Sequence, residues 1–354
     1  MSPRTDVLVT PAELAAALAS PTPPVVLDVR WHLGEERGAG RQRYAAAHLP
    51  CAAFLDLEKV LTRHTGNPRD GRHPLPRVAD VRAGLAAVGV RADRETVVYD
   101  EAGSFAAARA WWVLRWVGLP VRVLDGGVDA WVAAGHSLQA GDPFDPGETF
   151  DAGGAFDEDE ALGPNEAFGE VAAAPAPAVP AAAIPERAAH SAPSAGGHSD
   201  AAAPTPTGGP VRVPGRPQSA ELIGGHMPTL TADEAAAVPG HGVLIDVRAP
   251  ERFRGEVEPI DPVAGHIPGA VNIPVAGLFA PDGLLPDEAT LRERLAPALA
   301  AAEAGRAVAA YCGSGVSAAQ AVLALATLGV EAALYPGSWS AWCHDPTRPV
   351  ATGE

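Results

Sequence analysis

The chain repeats itself, and that repetition limits its fold more than any other feature. Four blocks in the first half are VVLDVRW (25–31), AHLPCAAFLDLE (47–58), TVVYDEAGS (96–104) and LDGGVDAW (124–131). They recur in the same order as VLIDVRAPERF (243–253), GHIPGAVNIP (265–274), VAAYCGSGVSA (308–318) and YPGSWSAW (335–342). Asp28 precedes His48 by 20 residues, and Asp246 precedes His266 by 20; Asp100 to Trp131 spans 31 residues and Cys312 to Trp342 spans 30. Chance can supply one block. Four in matching order and spacing imply a duplicated domain.

Within each half, short β-branched runs alternate with helical patterns. VVLDV, TVVYD and VRVLD read as buried strands. TPAELAAALA, ADVRAGLAAVGV and FAAARAWWVLRWVGLP read as helices, the last stopped by Gly118 and Pro120. In the second half TADEAAAV, DEATLRERLAPAL and SAAQAVLALATLGV take the same places. This alternation predicts an α/β fold, two tandem domains of mainly parallel sheet flanked by helices. The expected boundaries are 1–142 and 226–354. Between them lies a different composition. Residues 141–170 hold ten acidic residues and no Lys or Arg, and residues 171–210 hold 15 Ala, 8 Pro and 4 Gly. Such a segment cannot bury enough apolar surface to offset the entropy of ordering, so 143–225 reads as a flexible spacer, a tether or a partner-docking segment.

Composition narrows the function. No apolar run approaches 18 residues, so a membrane span is not expected, and the N-terminus is a poor signal peptide. Three cysteines, Cys51, Cys312 and Cys343, are too few for a disulfide framework, and no CxxC pair suggests a metal. A cytoplasmic setting is the default, with no cofactor. The net charge of -17 repels nucleic acid and anionic membranes. A local positive site for a small anion remains compatible with it, because much of the charge belongs to one segment.

Cys312 ends a strand and opens the loop CGSGVS before an alanine-rich helix. Gly313 and Gly315 allow close approach and unusual backbone angles. The amides of Gly313, Gly315, Val316 and Ser317, with the helix N-terminus, could cradle an anion. A thiolate at Cys312 is the obvious candidate, since thiolates are stabilised at helix N-termini. A buried structural cysteine is the plain alternative for the loop taken alone. A phosphatase loop would need Arg at 318, where the residue is Ala318. In the first half Asp100 stands at the cysteine's position and the Gly-x-Gly cradle is missing, so only the second half can run cysteine chemistry. Cys51 and Cys343 lack glycine-rich loops and read as incidental.

The repeated DVR, GHIPGA and GSW-x-W blocks, with the cysteine in the second half only, resemble the tandem rhodanese-type sulfurtransferases. CGSGVS resembles the CGSGVT loop of 3-mercaptopyruvate sulfurtransferases more than the CRKGVT loop of thiosulfate sulfurtransferases. The resemblance implies that Cys312 takes sulfur from a small anionic donor as a persulfide and passes it to a thiol, cyanide or a thioredoxin-like acceptor. Thiosulfate is the rival sulfur donor, and a persulfide relay to a dedicated protein is a second alternative. The resemblance places a substrate-binding arginine at Arg252. It expects a second arginine in a PEPR segment, where this chain has VEPIDP with Ile260 and Asp261. It also implies a serine–histidine–aspartate relay, matched by Ser314, by His73 in GRHPLP and by Asp56 in FLDLE. Such a relay would put proton handling in the first half and the nucleophile in the second. Arg254 reads as structural. His48 and His266, Arg30 and Arg248, and Trp131 and Trp342 occur in both halves and read as parts of the fold.

Overall fold

The computed structural model describes residues 3–91, 93–101, 103, 105–141 and 222–354. The expected spacer at 143–225 lies outside the described residues except for 222–225. Of these four, Leu222 and Gly224 are packed, while Ile223 and Gly225 are exposed. Arg82 Nη2 donates to the Leu222 carbonyl at 3.1 Å, and Leu222 lies against the core. Gly224 sits where a Cβ would come within 2.8 Å of the Trp116 ring.

The first half runs β1 (Leu8–Val9), α1 (Pro11–Leu18), β2 (Val25–Asp28), α2 (Ala39–Ala46), β3 (Ala52–Phe54), α3 (Leu57–Val60), α4 (Val78–Ala87), β4 (Thr96–Tyr99), α5 (Phe105–Trp116), β5 (Val121–Leu124) and α6 (Gly127–Ala133). Its strands pair in parallel in the order β1-β5-β4-β2-β3. The second half runs α7 (Ala232–Ala237), β6 (Gly242–Asp246), α8 (Pro250–Phe253), β7 (Val271–Asn272), α9 (Glu288–Arg294), α10 (Ala296–Glu303), β8 (Ala307–Tyr311), α11 (Ala318–Thr327), β9 (Ala333–Leu334) and α12 (Ser338–Trp342). Its sheet, β7-β6-β8-β9, is parallel too. Among the described residues no helix is long and apolar enough to cross a membrane.

The duplication is visible down to single hydrogen bonds. Both α1 and α7 open on a capping box, Thr10 with Glu13 and Thr231 with Glu234. Asp28 at the end of β2 holds Arg30, which donates onward to the Ala47 carbonyl at 2.5 Å. Asp246 at the end of β6 holds Arg248, which donates to the Gly265 carbonyl at 2.6 Å. His48 Nδ1 meets the Tyr44 carbonyl at 2.9 Å and His266 Nδ1 meets the Phe253 carbonyl at 2.7 Å. Trp131 and Trp342 each donate to a carbonyl a few residues downstream. These repeated polar residues are buried and partnered, as structural groups must be.

One sequence expectation fails locally. DEATLRERLAPAL is not a single helix but α9 and α10, interrupted at Leu295. Pro297 has no N–H to give to the preceding turn, so a new helix starts around it.

The two halves share a core. Ala106, Ala107, Ala110, Trp111 and Leu114 of α5 lie in one apolar cluster with Ala318, Ala319, Val322 and Leu325 of α11. Alanine faces let these helices approach closely, which explains why both segments are so rich in it. Polar ties reinforce the contact. Gln320 Nε2 donates to the Gly103 carbonyl at 2.5 Å, and Arg4 reaches Asp125 and the carbonyls of Leu285 and Pro286. The carboxyl ends of β4 and β8 therefore face a common seam, where parallel sheets usually place their ligands.

Candidate active site

Cys312 follows the last residue of β8 and is almost fully enclosed, at 1% exposure. The Gly315 N–H points at its sulfur at 3.0 Å. Gly315 has φ +82°, and a Cβ there would meet the Pro336 carbonyl at 2.5 Å, so only glycine can present this amide. The sequence predicts a ring of loop amides around the sulfur. Among the described residues Gly315 is the one amide that donates to it. Val316 is packed into the core, and Ser317 heads α11 at the edge of the site. Neither side chain contributes a polar contact to the sulfur.

The remaining clamp comes from a block that the repeat pattern assigns to the fold. Ser338 Oγ accepts the Cys312 N–H at 3.1 Å, donates to the Tyr335 carbonyl at 3.0 Å and lies 3.9 Å from the sulfur. Trp339 and Ser340 N–H groups hold the carbonyls of Cys312 and Gly313, each at 2.9 Å. Ser338 adopts φ +52°, a left-handed conformation unfavourable for a side chain. Its counterpart in the first half is Gly127, with φ +59°, where a Cβ would strike the Asp100 carbonyl at 2.3 Å. Alignment of the repeats exposes this glycine-to-serine difference.

The first half contributes His73, the histidine that the resemblance singles out. His73 is buried, stacked edge-on against Trp31, with Nε2 3.3 Å from Glu58 Oε1. The carboxylate in contact with His73 is thus Glu58. Asp56, the residue matched from sequence, is occupied elsewhere: its carboxylate caps α3 by accepting the N–H groups of Glu58 (3.0 Å) and Lys59 (3.3 Å). The capping preference of aspartate ahead of a helix could have separated the two acids of FLDLE. Burial lowers the His73 pKa, with Glu58 opposing and the cations Arg109 and Arg72 reinforcing. His73 is then neutral near pH 7. Glu58 holds the proton on Nε2 and leaves Nδ1 as a buried acceptor without a partner among the described residues. Ser314 is nearly buried in the cysteine loop, and its hydroxyl makes no hydrogen bond to a described residue.

Arg109, which sequence reasoning missed, ties these parts together. It sits fully buried on α5, inside FAAARAWW, where a lone charge among alanines and tryptophans was the available signal. Its guanidinium donates to the carbonyls of Gly315 (3.3 Å), Leu61 (3.1 Å) and His73 (3.0 Å). Burial pushes its pKa down to about 10, while Cys312 and Glu58 favour its charge. One cation thus bridges the nucleophile's loop and the histidine's backbone.

Arg252 lies beside the loop, where a Cβ on Gly313 would be 3.6 Å from its Nη1. Its partners are Glu258 (2.6 Å from Nη2 to Oε1) and Asp261 (3.3 Å), whose side chains are both buried. Arg254 pairs with exposed Glu256 and stands outside the site. Arg72, the residue before His73, also pairs with Asp261.

A family model for the rhodanese-like domain matches residues 10–134 and 231–345. A Mycobacterium tuberculosis protein with the provisional name thiosulfate sulfurtransferase SseB is 39% identical, covering 100% of this chain and 99% of that protein. A Pseudomonas aeruginosa protein with the provisional name 3-mercaptopyruvate sulfurtransferase is 36% identical over 98% of each. Among solved structures, SseA from Escherichia coli, described as a 3-mercaptopyruvate sulfotransferase, matches with a TM-score of 0.64 at 25% identity, covering 94% of this chain and 98% of that one. Two matched segments, a repeated hydrogen-bond framework and whole-length relatives agree: the chain belongs to the rhodanese-like family, in the tandem two-domain form.

Proposed function

We propose that this sulfurtransferase moves a sulfane sulfur from 3-mercaptopyruvate, through a Cys312 persulfide, to a thiol or cyanide acceptor. The observation that carries the reading is the Gly315 N–H aimed at the Cys312 sulfur beside two guanidinium groups.

The chemistry follows from these parts. The Cys312 thiolate attacks the sulfur of the donor. The carbon–sulfur bond breaks, its electron pair leaves as the enolate of pyruvate, and the enolate takes a proton. Cys312 then carries a persulfide. An acceptor thiolate or cyanide attacks the outer sulfur, the S–S bond breaks, and the electron pair returns to Cys312. Kinetics should be ping-pong. The Gly315 amide favours negative charge on the sulfur in both half-reactions. Neutral His73 can take a proton and return it to the enolate, with Glu58 stabilising the imidazolium between. Ser314, two residues after Cys312, is the loop hydroxyl that would relay that proton once substrate is bound. Near-complete enclosure of Cys312 keeps water from the persulfide.

The uncharged positions after the cysteine, Gly313 and Ser314, favour mercaptopyruvate over thiosulfate as sulfur donor. Steady-state kcat/KM for the two compounds tests this; a large preference for thiosulfate would reverse the assignment. Cys312→Ser should form no persulfide by mass spectrometry, and undiminished transfer would mean another nucleophile.

A further inference from the structure

The seam between the halves carries one contact twice. Arg109 on α5 donates from Nη1 to the Gly315 carbonyl at 3.3 Å, and Gln320 on α11 donates from Nε2 to the Gly103 carbonyl at 2.5 Å. Gly315 lies three residues after Cys312, and Gly103 three residues after Asp100. Arg109 and Gln320 occupy the same position of the repeat once the one extra residue of the first half is allowed for. Each therefore reaches across the seam to the loop that precedes the other copy's helix. The two contacts differ in charge. The loop that carries the thiol meets a cation, and the loop that carries Asp100 meets a neutral amide.

Arg109 is also a cation in need of a counter-charge. It is fully buried, its Nη2 goes to the carbonyls of Leu61 and His73, and its Nε has no partner among the described residues. No carboxylate forms an ion pair with it among those residues, and a buried charge left uncompensated is costly. The other charged groups around the loop have close partners. Arg72 pairs with Asp261, Arg252 with Glu258 and Asp261, and Glu58 with His73. Of the two groups that favour the charge on Arg109, Cys312 contributes more than Glu58. The Cys312 sulfur is 3.0 Å from the N–H of the same Gly315 whose carbonyl Arg109 holds.

We infer that Arg109 is a positioning residue for sulfur transfer, a counter-charge supplied by the first half that keeps the Cys312 sulfur anionic while it fixes Gly315 from the carbonyl side. The two copies thus share a seam contact, and only the copy with a nucleophile received a charged one. The inference rests on Cys312 as the nucleophile of the proposed reaction and is independent of which sulfur donor it uses.

The test is a pH titration of the full chain, reading the ultraviolet absorbance of the Cys312 thiolate as the difference from Cys312→Ser. Arg109→Gln, which copies the second half, should move the midpoint up by about 1–2 pH units, the effect expected of a nearby opposite charge. Persulfide formation should slow by roughly 10- to 100-fold below that midpoint and recover toward the parent rate as pH rises, a pattern that a purely structural arginine would not give. Arg109→Lys keeps the charge and should stay near the parent midpoint. Gln320→Met removes the mirrored contact and should leave the midpoint unmoved. An unmoved midpoint in Arg109→Gln would overturn the inference, as would an equal shift in Arg109→Lys or Gln320→Met, or a loss of rate that is the same at every pH. Arg109→Met, of similar volume, replaces the glutamine variant if that does not fold; failure of both to fold would make Arg109 a fold residue and overturn the inference too. Undiminished transfer by Cys312→Ser would sink the functional reading itself, whereas a Cys312-dependent parent with an indifferent Arg109→Gln removes Arg109 alone.

Discussion

Asp100 occupies the cysteine's place in the first half, and its replacement by asparagine should reshape the pH dependence of stability. Its Oδ2 accepts the N–H groups of Ala106 (2.7 Å) and Ala107 (3.0 Å) at the start of α5, while Oδ1 is buried without a partner among the described residues. Burial raises its pKa to about 7, the two amides opposing, and the negative charges of Asp28 and Glu101 add to the rise. The ordinary value of 3.8 applies once the chain unfolds. Between those two values the folded chain holds a proton that the unfolded chain has lost. Stability is therefore greatest below the unfolded value and declines as pH rises through the folded one. A shift of about three units corresponds to on the order of 4 kcal/mol of penalty on the ionised form, as an upper bound. Asp100→Asn keeps an oxygen for the Ala106 and Ala107 amides and removes the charge. Its NH2 group would be buried without an acceptor, a cost of about 1–3 kcal/mol. The net expectation is a gain of about 1–3 kcal/mol at pH 8 and none, or a small loss, at pH 4.5. Denaturant unfolding of parent and variant at several pH values measures this. A difference between the two that does not change from pH 4.5 to pH 8 would refute the reasoning.

Three further outcomes follow from the site. Glu58→Gln should lower kcat by about 10- to 100-fold by weakening proton transfer through His73, whereas Asp56→Asn, which still caps α3, should leave kcat near the parent value; the reverse pattern would return the relay to Asp56. Because burial lowers the His73 pKa and a base works deprotonated, kcat/KM should fall on the acid side with a midpoint below the ordinary 6.5; a midpoint at or above it would contradict this. Ser338→Gly relieves a left-handed side chain, worth about 1 kcal/mol, but removes the acceptor of the Cys312 N–H. Thermal stability should stay near the parent while turnover drops, and unchanged turnover would make the Ser338 hydroxyl dispensable.

Much of the fold and part of the site are legible in the amino-acid sequence. Strand and helix placement follows from local periodicity, and Cys312 follows from a strand–glycine loop–helix pattern with no counterpart in the first half. His73 and Arg252 are reached through motif resemblance; in the structure Arg252 lies beside Gly313, and Arg109 links the His73 carbonyl to the Gly315 carbonyl. Most of the readings that the structure alters depend on contacts beyond the local pattern, whereas the helix break at Pro297 is local. Asp56 and Glu58 are two residues apart; aspartate's capping preference marks Asp56 as the cap of α3, and packing shows Glu58 meeting the imidazole. Arg109 is one more residue of an alanine-rich helix until α5 meets α11. Pro297 divides a helix that apolar spacing alone joins.

Local patterning shows that the chain is a duplication, that each copy is a parallel α/β unit, and that only one copy sets a cysteine at the head of a glycine-rich loop. These follow from short-range steric and hydrophobic patterning, which acts within a few residues. Packing decides what surrounds the cysteine loop: one glycine amide and a strained serine at the sulfur, a buried arginine on Gly315 and two guanidinium groups beside Gly313. It also decided that the sulfur is enclosed rather than open. The contacts of Arg109 with Gly315 and of Arg72 with Asp261 join residues 206 and 189 positions apart, and they exist only after the two halves have packed.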